Sequence, residues 1–230
     1  MKRNRLIAMI TNGVLVVVLS VIAFVCFFPV TESVSVGDDG VYRKGSGEGV
    51  SLMINVYWGT DIVLKMLDVL DEYEASATFF VGGCWADDNV ACLREIAGRG
   101  HEIGSHGYFH RDHSKLSYEE NAEEIGRSVE FISLAASVTP VLFAPPSGAY
   151  GDETIRAASA LNMKVILWSK DTVDWRDKNE ETCFTRATDV EKGSLVLMHP
   201  MEHTLAALPR ILENYRERGL KTLTVSENLG

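Results

Sequence analysis

Three of the chain's six histidines fall within the stretch SHGYFHRDH, Ser105 to His113. His106 and His110 have three residues between them, a spacing that one helical or tight-loop turn places on the same side. Two imidazoles so placed can share one divalent ion of borderline softness, most often zinc, with cobalt or manganese as alternatives. A His-x3-His pair alone is a modest signal, since two surface histidines give the same pattern. Its place directly after the short apolar run HEIGS strengthens it. Four other polar clusters stand at the ends of apolar runs: Asn55 with YWGTD, then APPSG, DTVDW and MHPMEH.

The elements that must position these residues can be read from hydrophobic period. SLMINV, ATFFV, EIG, VLFA, KVILW, SLVLMH and KTLTV read as strands. Between them run helical patterns at 61–73, with an apolar stripe of Ile62, Leu64, Met66, Leu67 and Leu70, and at 89–97, 118–136, 153–161, 180–190 and 204–218. Strands alternating with helices predict an α/β fold, a parallel sheet with crossover helices that is either open or closed into a barrel. In such folds ligands bind at the C-terminal ends of the strands, where all five polar clusters stand.

Composition narrows the setting. Apart from Lys2, Arg3 and Arg5, 19 basic residues face 32 acidic ones, so the body should repel nucleic acid and anionic head groups. Those three bases precede an apolar stretch from Leu6 to Val30, long enough to cross a membrane, with no good cleavage site after it. Residues 1–30 are therefore expected to be an uncleaved anchor, with a cleaved signal peptide as the alternative. The basic end should stay in the cytoplasm, placing the remainder outside the membrane. Residues 31–49, rich in Ser, Gly and charge, read as a linker, and 50–230 as one folded domain, expected to be a monomer. The four cysteines lack CxxC spacing, which argues against a zinc-thiolate site and a disulfide framework.

The motifs ATFFVGG, GHEIGSHGYFH, APPSGAYGDETI, ILWSKDTVDW and GSLVLMHP occur in the order and approximate spacing of NodB-type polysaccharide deacetylases, carbohydrate esterase family 4, which the chain resembles over residues 50–226. The resemblance implies a distorted (β/α) barrel and metal-assisted hydrolysis of N-acetyl groups on cell-wall polysaccharide, either peptidoglycan or a chitin-like glycan. The WG turn and MHPMEHT look most like the sporulation-associated, peptidoglycan-directed branch. It further implies that His106 and His110 hold the metal and that His199 hands a proton to the leaving amine. A proton donor must hold its proton near neutral pH, which a carboxylate on the other ring nitrogen favours. DTVDW supplies that partner, Asp174 in preference to Asp171, and Trp175 helps to wall the site. Pro145 and Pro146 stiffen the loop before Ser147, whose backbone N–H occupies the family's oxyanion-stabilising position.

The first motif departs from the family. Where members carry TFDDG, with one aspartate as general base and the next as metal ligand, this chain has Asn55 and Val56. An amide takes no proton from water at neutral pH, and valine binds no metal. The arginine that orients the base is Ala144 here, a consistent joint loss, since a buried arginine without its carboxylate would be an uncompensated charge. Asp61 is the nearest carboxylate and is expected as third ligand or base, or as the cap of the helix it opens. Asp112 and His113 are weaker candidates, more simply read as a solvent-facing loop, and His101 and His203 match no family position. Asn55, Trp58, Pro146, Ser147 and Trp175 are expected around the substrate, with Tyr57, Trp58 and Trp175 as a stacking platform for sugar rings. The helix containing YEENAEEIGRSVE reads as a solvated acidic face. A glycan-binding pseudoenzyme on the same barrel is the alternative function.

Overall fold

The computed structural model describes residues 13–20, 36–47 and 49–230. The chain divides into an N-terminal unit, Met1–Ser33, and a main body, Val34–Gly230. In the first, residues 13–20 form an exposed helix, α1. Among the described residues no helix is long and apolar enough to cross a membrane. The remainder of the anchor expected over 1–30 lies outside the described residues.

The body is built on one parallel sheet. Its strands are β1 (Val41–Tyr42), β2 (Gly49–Val56), β3 (Thr78–Val81), β4 (Glu102–Ser105), β5 (Leu142–Phe143), β6 (Lys164–Ile166), β7 (Lys170–Asp171), β8 (Leu195–Met198) and β9 (Lys221–Thr222). They run in the order β1-β6-β5-β4-β3-β2-β8-β7, with β9 also on β2. β1 and β7 end this path without pairing, so the sheet is a curled, open half-barrel rather than a closed ring. Every residue of β2 is buried, as expected of a parallel strand covered on both faces. The period of two sorts its side chains: Met53 joins Phe80, Leu142, Ala144, Ile166 and Leu195 on the concave side, while Leu52, Ile54 and Val56 face the helical layer.

That layer comprises α2 (Thr60–Glu72), α3 (Gly83–Asp88), α4 (Val90–Gly98), α5 (Tyr118–Ala136), α6 (Asp152–Ala160), α7 (Asp174–Asp177), α8 (Glu180–Thr188) and α9 (Glu202–Glu217), whereas α10 (Val225–Leu229) packs Val225 and Leu229 into the concave cluster. In α2 the buried stripe is Val63, Met66, Leu67 and Leu70, each worth about 1.5–3 kcal/mol on burial. Ile62 and Leu64 are only partly buried, so the expected stripe is rotated. α5 starts at a capping box formed by Ser117 and Glu120. It buries Asn121, Glu124, Ile125, Ser128 and Ile132, which corrects the reading of this helix as a solvated acidic face.

The expected linker is corrected too. Val41 and Tyr42 pair with Val165 and Ile166, and Arg43 and Tyr150 both bond the Asp39 carboxylate, so residues from Val36 belong to the body. β1 and β7 are two-residue strands without a longer apolar run around them, so neither shows in a sequence reading. Cys84, Cys92 and Cys183 are free thiols.

Candidate active site

The loops at the C-terminal ends of β2, β4, β5, β7 and β8 converge on a cavity of about 400 Å³. Asn55, Tyr57, Trp58, His106, His110, Ser147, Asp171, Trp175 and His199 all line it, together with Trp168 and Leu197. Five polar clusters scattered along the sequence thus meet at one rim.

His106 leaves the end of β4 with its backbone N–H bonded to Val81 O. Its ring is 2% exposed, and Nδ1 donates to Ala144 O at 2.7 Å, which leaves Nε2 with a free lone pair. Burial, aided by the neighbouring His110, pushes its pKa down to about 3. Burial lowers His110 as well. Both rings are therefore neutral donors near neutral pH. Their centroids are 5.1 Å apart with planes at 70°. Two imidazoles sharing a tetrahedral ion at 2.0–2.1 Å bring their centroids to about 5 Å, so the pair fits two corners of a zinc-like site. Among the described residues no group of three or more His, Cys, Asp and Glu is arranged to hold a metal ion. Asp61, expected as third ligand or base, is exposed in the first turn of α2 and does not line the cavity. The cap of that helix is Gly59, so Asp61 contributes there as a negative charge near a helix N-terminus.

The β8 side of the cavity holds a densely bonded carboxylate. Asp174, 1% exposed, accepts His199 Nδ1 and Trp175 N–H on Oδ1, at 2.7 and 2.8 Å, and His199 N–H and Thr204 Oγ1 on Oδ2, at 2.7 and 2.8 Å. Burial works to raise this carboxyl, but the His199 bond and charge outweigh it, and the pKa is lowered. With Nδ1 committed to Asp174, His199 is left with Nε2 for chemistry. Trp58 lies parallel to the His199 ring, with 4° between planes and centroids 5.9 Å apart. His203, which matches no family position, bonds Asp174 O through Nε2 at 2.9 Å.

Backbone strain clusters here. His110, Ser147 and Val173 have φ of 56°, 56° and 53°, and a left-handed valine is a rare conformation. Each costs about 1–3 kcal/mol, tolerated where surrounding bonds over-determine the chain. Ser147 is thereby set on the cavity wall after Pro146, which is buried in the same turn but does not line the cavity.

The end of β2 is different. Asn55 is 4% exposed, and its Oδ1 has no hydrogen-bond partner. Val56 is fully buried in the helical layer and does not line the cavity. Ala144, where the arginine is missing, packs in the concave apolar cluster. Asp171 is the one carboxylate among the lining residues, with Oδ1 accepting Val173 N–H at 2.7 Å.

Sequence reasoning missed Thr204, Trp168 and Glu124. Thr204 lies in the first turn of α9, five residues after His199, a weak cue. Asn121, Glu124 and Ser128 recur at helical spacing beside Ile125 and Ile132, the cue that this polar face is buried. His113, read as solvent-facing, is 1% exposed, with Nδ1 bonded to Asn121 Oδ1 at 2.7 Å. Asp112 is the exposed cap of the turn holding His113. His101 is 8% exposed against Phe79, away from the cavity.

Residues 43–166 match the polysaccharide deacetylase family. An uncharacterised Bacillus subtilis protein, YlxY, is 36% identical over 77% of this chain, which spans 56% of that protein's length. A Bacillus cereus peptidoglycan-N-acetylglucosamine deacetylase is 31% identical over 72% of this chain and 80% of its own. Among solved structures, a CE4 family pseudoenzyme from Bacillus anthracis superposes with a TM-score of 0.80 at 30% identity, covering 85% of this chain and 70% of that one. A mutant of that pseudoenzyme is described as having restored enzymatic activity.

Proposed function

The chain belongs to the polysaccharide deacetylase family, and from that premise we propose that it is a metal-dependent hydrolase removing N-acetyl groups from cell-wall glycan, peptidoglycan or a chitin-like polymer. The observation that carries this reading is the Asp174–His199 pair, bonded at 2.7 Å, in the same cavity as the neutral His106–His110 pair. A protein that only bound glycan would have no use for a buried carboxylate committed to one histidine ring.

His106 and His110 would hold the divalent cation, zinc or in its place cobalt or manganese, with the unbonded Nε2 of His106 available as one donor. Such a cation supplies Lewis acidity, polarising an amide carbonyl and making water a better nucleophile near neutral pH. As water adds to the acetamide carbon, Asp171, the one carboxylate among the lining residues, takes its proton. His199 Nε2 gives a proton to the amine as the C–N bond breaks and acetate leaves. Asp174 keeps the His199 ring in place, and the Ser147 N–H faces the oxyanion. Trp58 and Trp175, 42% and 49% exposed at the rim, offer the flat faces on which sugar rings stack. The domain works outside the membrane as a monomer tethered by its N-terminal segment.

A second reading is favoured by the unpartnered Oδ1 of Asn55. With an amide where the family has its base, the barrel binds glycan without cleaving it, as a pseudoenzyme. Acetate release from N-acetylglucosamine oligomers and from peptidoglycan, with zinc, cobalt or manganese, separates the two. Release that disappears in His199→Ala supports the hydrolase. Cation and glycan binding with no release from folded protein supports the pseudoenzyme.

A further inference from the structure

The segment carrying both candidate ligands, His106 to His110, is irregular backbone, yet its middle is held on both sides. Its carbonyls at Gly107 and Tyr108 accept N–H groups from Gly83 and Cys84 at the start of α3, at 2.9 and 3.0 Å. Its amides turn the other way, toward α5. Gly107 N–H goes to Ser105 Oγ at 3.2 Å, and that hydroxyl bonds Ser128 Oγ at 3.0 Å. Tyr108 and Phe109 N–H both go to one atom, Glu124 Oε2, at 3.0 and 2.9 Å.

Glu124 is 4% exposed, and its carboxylate is the charged group that enters this frame. Gly107, at φ +73°, allows the close approach: a Cβ there would stand 3.4 Å from Glu124 Oε2 and 2.9 Å from His113 Nε2. A carboxylate accepting two successive amides in a buried place makes strong, charge-assisted bonds and fixes the turn they belong to. That turn spaces His106 from His110 and holds His110 at φ 56°.

We propose that Glu124 is the positioning residue of the His106–His110 pair, clamping the Tyr108 and Phe109 amides so that both rings face one cation. The inference rests on the proposed metal-binding role of that pair and reaches past it to a helix outside the cavity. Partners that orient metal ligands typically change affinity 10–100-fold when removed.

The test uses the full chain and titration with Co²⁺, read by calorimetry and by the visible d–d bands that report histidine ligation. Three variants separate reach from charge. Glu124→Gln keeps an acceptor oxygen at the same reach and should bind Co²⁺ within about threefold of wild type. Glu124→Asp keeps the charge but withdraws it from the amides, and Glu124→Ala removes both; each should weaken binding 10-fold or more and alter the d–d bands, with cooperative unfolding retained. Hydrogen exchange at the Tyr108 and Phe109 amides should be slow in wild type and Gln, and fast in Asp and Ala. Equal Co²⁺ affinity and unchanged amide protection in Glu124→Asp would overturn the positioning role. Failure of wild type to bind Co²⁺ would instead overturn the metal reading, and the amide exchange would still decide whether Glu124 holds the loop.

Discussion

His199 and Asn55 line the same cavity, one on the β8 side and one at the end of β2, and they are supported in opposite ways. Behind His199 stands an aspartate whose two oxygens accept four hydrogen bonds, reached from α7, the β8 loop and α9. Behind Asn55 stand apolar residues, and its Oδ1 is left alone at a cost of about 1–3 kcal/mol. On the proposed reading the proton-donating half of the site is complete, while the half that would activate water carries Asn55, Val56 and Ala144 where the family has two aspartates and an arginine. Such a joint loss is stable because each lost charge removes the desolvation problem of the other.

The most damaging way to break this contrast is Asp174→Ala. It strands four donors in a buried place and should lower unfolding free energy by about 3–5 kcal/mol, measured by urea denaturation, besides ending acetate release. Next comes His199→Ala, which should cut release at least 100-fold and, because three of the four bonds to Asp174 can remain, cost less stability than Asp174→Ala. An unchanged rate would show that the intact half is ornamental. Acid should weaken the fold through histidines held neutral by burial. His106, His101 and His113 all have folded pKa values below the unfolded value of 6.5. Their contribution is therefore complete above about pH 6.5 and is lost as pH falls through it, for His106 down to about pH 3. Each costs up to about 1.4 kcal/mol per pH unit, so the melting temperature should drop between pH 7 and pH 5. Asn55→Asp sharpens the contrast from the other side: a carboxylate at the end of β2 should raise acetate release about 10-fold over wild type. No gain would mean that Ala144 and Val56 matter as much as Asn55. The smallest effect belongs to Thr204→Val, which removes one of the four bonds to Asp174 and should cost about 1 kcal/mol.

Much of the arrangement was legible because it follows from local rules. The long strands, the span of α5 and the bunching of polar residues after apolar runs are all visible in hydrophobic period. So was the choice of Asp174 over Asp171 as partner of His199. Other features resisted. Val36 to Gly47 reads as a tether because its composition is polar, yet two residues of it complete the sheet. Glu124 reads as one more acid on an acidic helix; its spacing from Ile125 and Ile132 hints at burial, and only the neighbouring loop shows what it bonds.

Residue type and order by themselves determined the parallel α/β plan and the His-x3-His pair after an apolar run, and the resemblance to the family singled out His199 and marked Asn55 and Val56 as departures. These depend on side-chain chemistry and short-range periodicity, both written along the chain. Only the tertiary structure decided that the sheet stays open, that Asp61 stands clear of the cavity while Asp171 enters it, and that Glu124 faces the His106–His110 loop. Those outcomes depend on which distant backbone groups need a partner once the sheet has curled, a long-range requirement that no local pattern of residues expresses.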